Sequence, residues 1–545
     1  MKILDCTLRD GGYYNDWDFG EDLVADYLRA MAAARPDAVE IGFRFRNGGR
    51  YRGPFAYSPE SWLRSLPLPE GIPLAVMINE ADFPNDETAL GCAVDEAFID
   101  AGDSCVELVR VETVFDRLEN AAAIIQLLKR LGYRTALNVM QIARASDDEL
   151  QEIGRLAASA GPEVLYFADS TGGLHPADVH RIVNALKRNW HGALGLHAHD
   201  NMQLAMANCM AAAEAGVEWL DGTVLGMGRG PGNARTENLL LAFSGRDNEH
   251  EDLAPLFQCM ADWFEPLRDQ YRWGSNPYYF MAGQYGIHPT YIQTMLADSR
   301  YGADDIVATI EFLRARSANR YSQANLEQAG NFYGDLPQGA WQPTDLIEGR
   351  EVLLLGSGPG CRAHREALEQ FIQLRDPIVI ALNVNSPIRD DLIHLHAACH
   401  PIRLLRDAGN YGRVQGALVA PVAALPEAVR TRLAQTECHD FGLALGADRF
   451  EFGASHAILP RPMAAAYAMA IANSGGAARI YMAGFDGYGP EDPRNLEMNE
   501  VLSGYRRCTS AVELWSITPT RYEIPEDSVY RLATKPAGTD NRDIP

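Results

Sequence analysis

The sequence has few of the features that mark secreted, membrane-spanning or zinc-ribbon proteins. Nine cysteines are scattered over 545 residues and never occur with CxxC spacing, so we expect reduced thiols rather than a disulfide framework or a zinc ribbon. No apolar run approaches the roughly 18 residues that a membrane-spanning helix needs. Asp5 interrupts the stretch where a secretory signal would place its apolar segment, so we expect a cytoplasmic protein without a membrane partner.

Basic residues are also scarce. Lysine and arginine total 48 against 73 acidic residues, which gives a formal net charge of −25. An acidic surface repels phosphate backbones, so nucleic acid is not expected as a partner. Hydrophobic residues make up 47% of the chain, which is typical of a globular protein with large cores.

The sequence does contain a regular alternation of short apolar runs and longer amphipathic stretches. Eight strand-like runs, each followed by a helical pattern, occur in about 245 residues. The runs are 2–7, 38–43, 73–78, 105–111, 134–140, 163–168, 192–198 and 219–226. A parallel (β/α)8 TIM barrel over residues 1–248 is the economical arrangement. A doubly wound open sheet is the alternative, but it does not predict eight units.

After the barrel the pattern changes twice. Residues 249–330 have helical periodicity, which predicts a helical extension of the barrel. Residues 331–350 contain two prolines and several glycines, so we expect a linker. Strand-like runs return in EVLLLGSGPGC (351–361), PIVIALNVN (377–385), RLLRDAG (403–409) and ARIYMAGFDGYG (478–489). Residues 351–545 are therefore predicted to form a second, Rossmann-like α/β domain.

Polar residues cluster at the predicted carboxyl ends of the barrel strands, where barrel enzymes carry their chemistry. These residues are Arg9, Asp10, Glu40, Arg110, Asn138, Gln141, Asp169, Ser170 and the run HAHDN at 197–201. A charged pair directly before the Gly-Gly break at 11–12 is not explained by a turn alone.

The His-x-His pair is the sharpest of these signals. Residues i and i+2 of a strand point the same way, so His197 and His199 aim two imidazoles at one point. With a carboxylate from Asp10 on the adjacent strand, they would form a two-His, one-carboxylate site with open positions for a catalytic divalent ion. The alternative is a pair of ordinary histidines near a helix start.

A glycine-rich loop, GMGRGPGN, follows the eighth strand-like run at 226–233. Glycines at the mouth of a barrel allow backbone amides to approach an anion, and here they would bring Asn233 to the ion as an oxygen ligand. A plain connecting loop is the alternative.

Three motifs in this order, TLRDGG, HAHDN and GMGRGPGN, resemble the metal-dependent aldolase and lyase superfamily of hydroxymethylglutaryl-CoA lyase, isopropylmalate synthase and 4-hydroxy-2-oxovalerate aldolase. The segment YYFMAGQYGIHPTY (278–291) is similar to the helical segment after the barrel in the 4-hydroxy-2-oxoacid aldolases. The resemblance covers roughly residues 1–330.

The resemblance implies a role for each matching residue. Mn²⁺ or Mg²⁺ would be bound by Asp10, His197, His199 and Asn233, and would chelate pyruvate. Arg9 would hold the enolate oxygen, since a C–C bond next to a carbonyl is made or broken through an enolate whose charge needs stabilising. The expected substrate-binding residues are Ser170, Glu40, Arg110 and Asn138. Of these, Ser170 would contact the pyruvate carboxylate, and Glu40, like Asp169, would support the site from behind or serve the structure alone.

Two departures from the family pattern affect the chemistry. The hydroxymethylglutaryl-type lyases carry a catalytic cysteine where this chain has Val224, so that chemistry does not carry over. The hydroxyoxovalerate aldolases carry a histidine base where this chain has Tyr13, which would act as acid or base if its pKa were lowered near the metal. His288 and Tyr291 are the alternative proton-transfer residues. The replacement also suggests a different aldehyde substrate.

The second domain opens with a strand that runs into the glycine-rich turn GSGPG. The full dinucleotide fingerprint is absent, because Cys361 occupies the third glycine position. Together with ALNVN and IYMAGFDGYGPED, the turn distantly resembles the nucleotide-binding core of bacterial sialyltransferase-like domains. The resemblance implies a nucleotide or nucleotide-sugar site at Gly356, Ser357, Gly358, Asn383 and Asp486. A turn that serves only the fold is the alternative.

The sequence therefore predicts a carbon–carbon lyase of the metal-dependent aldolase type, which joins or cleaves pyruvate, or a related 2-oxoacid, and an aldehyde. The fusion suggests a sugar-derived aldehyde in surface polysaccharide biosynthesis, and a homo-oligomer is compatible with the sequence. Two alternatives remain open. One is an acyl-CoA-dependent Claisen enzyme of the isopropylmalate synthase type, and the other is an inactive barrel in a nucleotide-binding regulatory module.

Overall fold

The computed structural model describes residues 1–46, 50–243, 252–298, 301–315, 337, 339–384, 386–425, 427–446, 449–489 and 492–533. The chain divides into two compact units, Met1–Asp298 with Leu313–Tyr321, and Ser299–Phe312 with Ser322–Pro545. The predicted domain boundaries at 248/249 and 330/331 lie outside the described residues, and the boundary at 350/351 stays a prediction.

The first unit is built on a closed barrel of eight parallel strands, which confirms the predicted TIM barrel. Strand β1 pairs with both β2 and β8, so the sheet has no edge. The strands are β1 (Lys2–Asp5), β2 (Ala38–Phe43), β3 (Leu74–Asn79), β4 (Leu108–Thr113), β5 (Arg134–Val139), β6 (Val164–Asp169), β7 (Ala193–Ala198) and β8 (Trp219–Gly222).

Helices follow the strands and pack their apolar faces on the barrel. They are α1 (Thr7–Gly11), α2 (Glu21–Ala34), α3 (Glu60–Leu63), α4 (Glu87–Ala97), α5 (Leu118–Arg130), α6 (Asp147–Ala160), α7 (Pro176–Leu186), α8 (Ala205–Glu214) and α9 (Thr236–Phe243). Further helices continue the chain: α10 (Ala254–Cys259), a π-helical turn (Met260–Phe264), α11 (Glu265–Tyr271), α12 (Pro277–Tyr285), α13 (Pro289–Ala297) and α14 (Ala303–Ala315).

The inside of the barrel is packed with side chains of unequal size. Ala38, Ala75 and Ala136 leave room for the large rings of Tyr166 and Trp219, and all five side chains are buried in one cluster. A filled interior is the rule for barrels of eight strands, so a ligand can bind only at an end of the barrel.

The first strand is shorter than the sequence predicts, and its end differs in kind. The chain leaves β1 at Asp5, whose carboxylate accepts hydrogen bonds from the backbone amide (3.0 Å) and the hydroxyl (3.0 Å) of Thr7. This local bonding turns the chain into the short buried helix α1. Arg9 and Asp10, which we expected at the end of a strand, lie in this helix.

The second unit contains a seven-stranded sheet in which every pair is parallel, with the order β13-β12-β11-β10-β9-β17-β18. Its strands are β9 (Glu351–Leu355), β10 (Ile378–Leu382), β11 (Leu395–Ala397), β12 (Ala417–Ala420), β13 (Cys438–Asp440), β17 (Arg479–Ala483) and β18 (Leu514–Ser516). A smaller sheet of order β14-β16-β15 joins β14 (Gly442–Leu445), β15 (Glu451–Phe452) and β16 (His456–Leu459). The parallel sheet agrees with an α/β domain, and the narrower Rossmann-like assignment stays a prediction.

The helices of the second unit cover an apolar core, and one of them, Ala464–Ser474, is itself buried along most of its length. They are α15 (Thr344–Ile347), α16 (Pro359–Ala363), α17 (Arg365–Arg375), α18 (Pro401–Tyr411), α19 (Glu427–Leu433), α20 (Ala464–Ser474), α21 (Pro493–Arg506) and α22 (Val529–Leu532). The run RLLRDAG was wrongly grouped with the strand-like runs. It lies in α18, and Pro401 at the first helical position is the start signal that identifies it.

Among the residues that the structure describes, no helix combines the length and apolar character needed to cross a membrane.

Candidate metal centre and active site

The two glycines after Asp10 allow α1 to pack closely against its surroundings. A Cβ on Gly11 would lie 2.7 Å from the sulfur of Met227, and one on Gly12 would lie 2.1 Å from the ring of Trp17. The Trp17 indole also donates a 2.8 Å hydrogen bond to the carbonyl oxygen of Arg9. The Gly-Gly pair therefore holds α1 in place by close packing.

Asp10, His197 and His199 meet at the mouth of the barrel. Each offers one ligand atom, and these atoms all lie within 4.8 Å of one another. The His197 Nε2 atom is 3.6 Å from Asp10 Oδ2, and the two imidazole ring centroids are 5.1 Å apart. All three residues are buried. The arrangement provides a carboxylate and two imidazoles around one point.

The glycine-rich loop at 226–233 brings Asn233 to the same place. An isolated backbone bridge joins Asn233 to His199, and the Asn233 side-chain amide donates to Asp10 Oδ2. A Cβ on Gly228 would lie 2.6 Å from the Asn233 amide nitrogen and 3.1 Å from Asp10 Oδ2. The absence of a side chain at Gly228 is what lets Asn233 and Asp10 approach each other.

Arg9 contacts Asp10 directly, and Arg110 is linked to Arg9 through a shared glutamate. Arg9 forms an ion pair of 3.0 Å with Asp10 through Nη1 and a 2.7 Å hydrogen bond to Glu40 through Nε. The same Glu40 oxygen accepts a 3.1 Å hydrogen bond from Arg110 inside the barrel. Arg110 is fully buried and its guanidinium lies 4.2 Å from the ring centroid of Tyr166. Two of the four predicted substrate-binding residues, Glu40 and Arg110, are thus engaged with protein groups.

Asp221 on β8 closes this network into a ring. It accepts a 2.6 Å hydrogen bond from Arg110 and lies 2.9 Å from His197 Nδ1. The carboxylate fixes the imidazole with Nδ1 toward Asp221 and Nε2 toward Asp10. Carboxylates commonly orient metal-binding histidines in this way, and the sequence analysis did not identify Asp221.

The charges around the three ligand residues are strongly coupled. Burial by itself raises the pKa of Asp10, but Arg9 and the two histidines outweigh it and hold the pKa well below the ordinary value. Burial lowers the pKa of His197, and the hydrogen bonds to Asp10 and Asp221 more than reverse this. Burial and the neighbouring His197 lower the pKa of His199 to about 3. An ionised carboxylate and a neutral imidazole are the forms that bind a metal.

The residues present fit a divalent ion. Within the described ranges, the buried atoms His199 Nδ1 and Asn233 Oδ1 have no hydrogen-bond partner. Unpartnered buried polar atoms are costly and need an explanation. A carboxylate with imidazole nitrogens and an amide oxygen is a suitable donor set for Mn²⁺ and tolerable for Mg²⁺.

A cavity of about 770 Å³ opens beside these residues. Its lining includes eight of the predicted site residues: Arg9, Asp10, Tyr13, Asn138, Ser170, His197, His199 and His288. Four others are not part of the lining. Tyr291 is fully buried in α13, Glu40 and Arg110 belong to the charge network, and Asn233 lies against Asp10.

Glu112 and Arg229 also line this cavity and were missed as site residues. Glu112 lies two positions after Arg110 on β4, so the period of a strand could have placed it on the inner face. Arg229 is the charged residue of the glycine-rich loop. Burial raises the pKa of Glu112, while Arg229 and Arg9 oppose this rise.

Tyr13 lies at the cavity between an arginine and a tryptophan ring. Burial raises the pKa of its phenol, and Glu112 adds to the rise, whereas Arg229 opposes it. The Arg229 guanidinium lies 4.1 Å from the Tyr13 ring centroid, and the Trp17 ring packs edge-on at 4.8 Å. The role of Tyr13 as acid or base next to a bound metal stays a prediction.

The predicted residues of the second unit lie at the carboxyl ends of neighbouring strands. Gly356 and Gly358 follow β9, and the Gly358 amide donates a 2.9 Å hydrogen bond to the carbonyl oxygen of Gly484 after β17. Ser357 is exposed. Asn383 follows β10, the other neighbour of β9, with a left-handed backbone at φ 56°.

Asp486 fills the space that these glycines leave. A Cβ on Gly358 would lie 2.1 Å from Asp486 Oδ2, and the Gly360 amide donates a 2.8 Å hydrogen bond to Asp486 Oδ1. One loop amide is therefore satisfied by a carboxylate of the chain itself.

Comparisons with known proteins match the part of the chain that contains the barrel. The HMGL-like family model matches residues 97–258. A 4-hydroxy-2-oxovalerate aldolase of Brevibacillus brevis is 32% identical over 240 residues, which span 44% of this chain and 68% of the relative. Another, from Geobacillus genomosp. 3, is 27% identical over 58% of this chain and 92% of the relative. An oxaloacetate decarboxylase of Mycobacterium tuberculosis is 26% identical over 54% of this chain and 85% of the relative.

Among solved structures, the N-terminal domain of a Bacteroides vulgatus protein named as a candidate aldolase superposes with a TM-score of 0.49 at 30% identity. The superposition covers 55% of this chain and 98% of that domain. With sequence relatives at 30% identity or more over two thirds of their own length, this chain belongs to the HMGL-like family.

Proposed function

We propose that the protein is a divalent-metal-dependent aldolase that makes or breaks a C–C bond through the enolate of pyruvate or a related 2-oxoacid. The observation that carries the proposal is the meeting of Asp10, His197 and His199 at one point of the barrel mouth, with Arg9 beside them. Relatives named 4-hydroxy-2-oxovalerate aldolase support it.

The proposed ion, Mn²⁺ or Mg²⁺, would be held by Asp10, His197 and His199, with Asn233 as an additional oxygen donor. When bound, such an ion polarises a carbonyl group and stabilises the negative charge of an enolate. The protein keeps the ligands in place through Asp221 on His197 and Arg9 on Asp10.

Arg9 is suited to hold the enolate oxygen. Its Nε and Nη1 atoms are committed to Glu40 and Asp10. Its Nη2 atom is buried and has no hydrogen-bond partner in the described part of the chain, while the side chain lines the cavity. A fixed donor with spare hydrogen-bonding capacity is what a developing oxyanion needs, because such a donor pays no reorganisation cost during the reaction.

Ser170 and Asn138 are proposed to bind the rest of the 2-oxoacid. Both line the cavity. The Ser170 hydroxyl accepts a 3.0 Å hydrogen bond from the Gln141 backbone amide, which leaves its own proton to donate to a carboxylate. Asn138 Oδ1 is buried without a partner among the described residues, so it can accept from a bound hydroxyl.

Proton transfer accompanies both directions of the reaction. In the direction of aldol addition, the methyl carbon of pyruvate loses a proton, the new C–C bond forms, and the aldehyde oxygen gains a proton. Three cavity residues, Tyr13, His288 and Glu112, and the buried Tyr291 are the candidates for this transfer. Burial and Arg229 lower the pKa of His288 to about 3, so it would be a weak base at neutral pH. The raised pKa of Glu112 favours it.

Hydrogen–deuterium exchange at the methyl group of pyruvate tests the proposal, because it reports the enolate without an acceptor. The full chain with Mg²⁺ or Mn²⁺ in D₂O should exchange the methyl protons, and a chelator should stop the exchange. A wild-type protein that shows no metal-dependent exchange would contradict the proposal. Glu112→Gln and Tyr13→Phe then identify the base, because only loss of the true base removes the low-pH limb of the pH–rate profile, on which the rate rises as the base loses its proton.

Decarboxylation of a 2-oxodiacid is a second candidate, favoured by the relative named oxaloacetate decarboxylase. It passes through the same enolate, which forms when CO₂ rather than an aldehyde leaves. Release of CO₂ from oxaloacetate, compared with the spontaneous rate at the same metal concentration, separates the two. An enzyme that exchanges the pyruvate methyl protons but does not accelerate CO₂ release is not a decarboxylase, and its enolate then serves another reaction such as the proposed aldol addition.

For the second unit we propose a nucleotide or nucleotide-sugar site formed by Gly356, Ser357, Gly358, Asn383 and Asp486, which fits a sugar-derived aldehyde as acceptor. In support, β9 and β17 adjoin where the strand order of the sheet reverses, which is the usual ligand position in open parallel sheets. Calorimetry on the full chain with UDP, CMP and a UDP-sugar tests it. Absence of binding to all three would contradict it.

A further inference from the structure

Arg229 differs from the other arginines around the site in its bonding. Arg9 and Arg110 are both paired with buried carboxylates. Arg229 lines the same cavity, but no ion pair joins it to a carboxylate in the part of the chain that the structure describes. In a protein with a net charge of −25, a cavity guanidinium without a carboxylate partner is a local exception that needs an explanation.

The position of Arg229 is fixed by its neighbours in the loop. A Cβ on Gly230 would lie 2.8 Å from the Tyr279 ring, and the Gly230 carbonyl oxygen accepts a 3.0 Å hydrogen bond from the Gly274 amide. The Tyr13 ring lies 4.1 Å below the guanidinium. Stacking on an aromatic face holds an arginine in place while leaving its N–H edges free to donate.

Arg229 acts on the groups around the cavity through its charge. Its field lowers the pKa of His288 and His199, and it opposes the rise in the pKa of Glu112. Three carboxyl groups, those of Asp10, Glu112 and Asp298, also line the cavity. Glu112 accepts a 3.5 Å hydrogen bond from the Asn79 side-chain amide.

The cavity is larger than a three-carbon 2-oxoacid requires. Its volume of about 770 Å³ is in the range of sites for drug-sized ligands. Beyond the metal-binding and charged groups, the lining offers uncharged hydrogen-bonding side chains, namely Asn79, Gln141, Thr290, Gln293 and Thr294. Amides and hydroxyls of this kind suit a second substrate with several hydroxyl groups.

From the stacked guanidinium and the spacious polar cavity, we infer that the acceptor aldehyde carries an anionic group, a carboxylate or a phosphate, which Arg229 binds. This inference rests on the proposed aldolase function and names the class of its second substrate. A planar guanidinium matches both anions with two parallel hydrogen bonds. Arg229 would thus select the acceptor, while Arg9 serves the enolate.

Two matched pairs of aldehydes test the inference with the full chain, Mg²⁺ and pyruvate. Glyceraldehyde 3-phosphate is compared with glyceraldehyde, and succinic semialdehyde with butanal, as kcat/KM for the aldol product. We expect the wild type to prefer the anionic member of at least one pair, and the pair that shows it distinguishes phosphate from carboxylate. Arg229→Met should reduce that preference by about tenfold or more, and Arg229→Lys should reduce it less.

Methyl exchange of pyruvate alone is the internal control, since it needs no acceptor. We expect Arg188→Met, which changes an exposed arginine in the turn before β7, to keep both the wild-type exchange rate and the wild-type aldehyde preference. Loss of exchange in Arg229→Met would assign Arg229 to the 2-oxoacid and overturn the inference. So would a wild type that exchanges protons but accepts no anionic aldehyde, or that takes both members of each pair equally. Absence of exchange in the wild type would instead refute the aldolase function itself.

Discussion

Two glycine-rich loops of the molecule, residues 226–233 and 356–360, both use the absence of side chains for close packing, but different groups occupy the space. At the barrel mouth, Gly228 makes room for Asn233 and Asp10, and buried polar atoms remain without partners in the described ranges. In the parallel sheet of the second unit, Gly358 and Gly360 make room for Asp486, whose Oδ1 atom accepts from a loop amide, while its Oδ2 atom is also buried without a partner among the described residues. One loop presents donors and acceptors to a cavity, and the other folds around a side chain.

The comparison shows what a glycine pattern can and cannot predict. Glycine without a side chain permits close approach, but the sequence does not say what approaches. For residues 226–233 the approaching groups are Asn233 and Asp10, two residues of the candidate metal site. For residues 356–360 the approaching group is an anion of the protein itself. A diphosphate at the second loop would have to compete with Asp486, so the proposed nucleotide-sugar would place a hydroxylated part, not its diphosphate, at that edge.

Removal of the anionic ligand should have the largest effect. We expect Asp10→Asn to slow methyl exchange of pyruvate by roughly a thousandfold, because a bound ion contributes several kcal/mol to enolate formation. Mass spectrometry of pyruvate after incubation in D₂O measures the rate. Asp22→Asn, at an exposed position in the first turn of α2, should exchange at the wild-type rate. A fully active Asp10→Asn protein would show that the loop at 226–233 does not serve a metal site, and this difference from the loop at 356–360 would be lost.

Much of the first unit could be predicted because the relevant signals are local. Alternating apolar runs gave eight strands, and the spacing of His197 and His199 placed two imidazoles together. The functions of Asp221 and Glu40 could not be predicted, because each depends on Arg110, which lies far away in the sequence. The single aspartate in WLDG carries no local sign that it orients a histidine.

Breaking the ring of charges should have the next largest effect, and on stability. Arg110→Met leaves Glu40 and Asp221 buried without their shared cation, which we expect to lower the free energy of unfolding by about 3–5 kcal/mol. Denaturant unfolding followed by tryptophan fluorescence measures this. The second unit offers a contrast, since the loop carboxylate of Asp486 is partly exposed and accepts from a backbone amide.

Arg134→Met is the matched control for Arg110→Met. Arg134 also lies on a barrel strand and forms a two-pronged pair with Glu163, but both side chains are about a third exposed (36% and 37%). Solvent screens such a pair, so its loss should cost about 1 kcal/mol or less. Equal losses for the two variants would show that burial is not what makes the inner network important.

Alanine substitutions in the two loops should separate their roles. Gly358→Ala would push against Asp486 and the Gly484 carbonyl oxygen, 2.5 Å away, and should cost about 1–3 kcal/mol of stability. Gly228→Ala should displace Asn233 and weaken Mn²⁺ binding by about 10–100-fold. Thermal unfolding and calorimetric Mn²⁺ titration of the full chain give the two quantities.

Gly409→Ala controls for the substitution itself. Gly409 lies in α18, and a Cβ there would meet nothing within 4 Å. Alanine should stabilise that helix by about 0.5–1 kcal/mol. If Gly358→Ala changed Mn²⁺ affinity as much as Gly228→Ala, the division between a metal-site loop and a closed loop would be wrong.

The smallest effect concerns His288, which caps α13 at the cavity and accepts a 3.3 Å hydrogen bond from the Thr290 amide. Burial, together with Arg229, lowers its folded pKa from 6.5 to about 3. Below pH 6.5 the His288 imidazole therefore binds a proton in the unfolded chain, whereas in the folded chain it stays neutral until the pH approaches 3. The stability that His288 supports is complete above pH 6.5 and is lost as the pH falls toward 3.

His288→Asn retains a capping side chain without this titration, so between pH 7 and 5 it should lose about 1–2 kcal/mol less stability than the wild type. His191→Asn, at an exposed position, should keep the wild-type slope. If the stability of His288→Asn depended on pH as steeply as that of the wild type, the barrel mouth would not hold this histidine neutral. The unpartnered polar atoms at the barrel mouth would then be as well solvated as those of a surface loop.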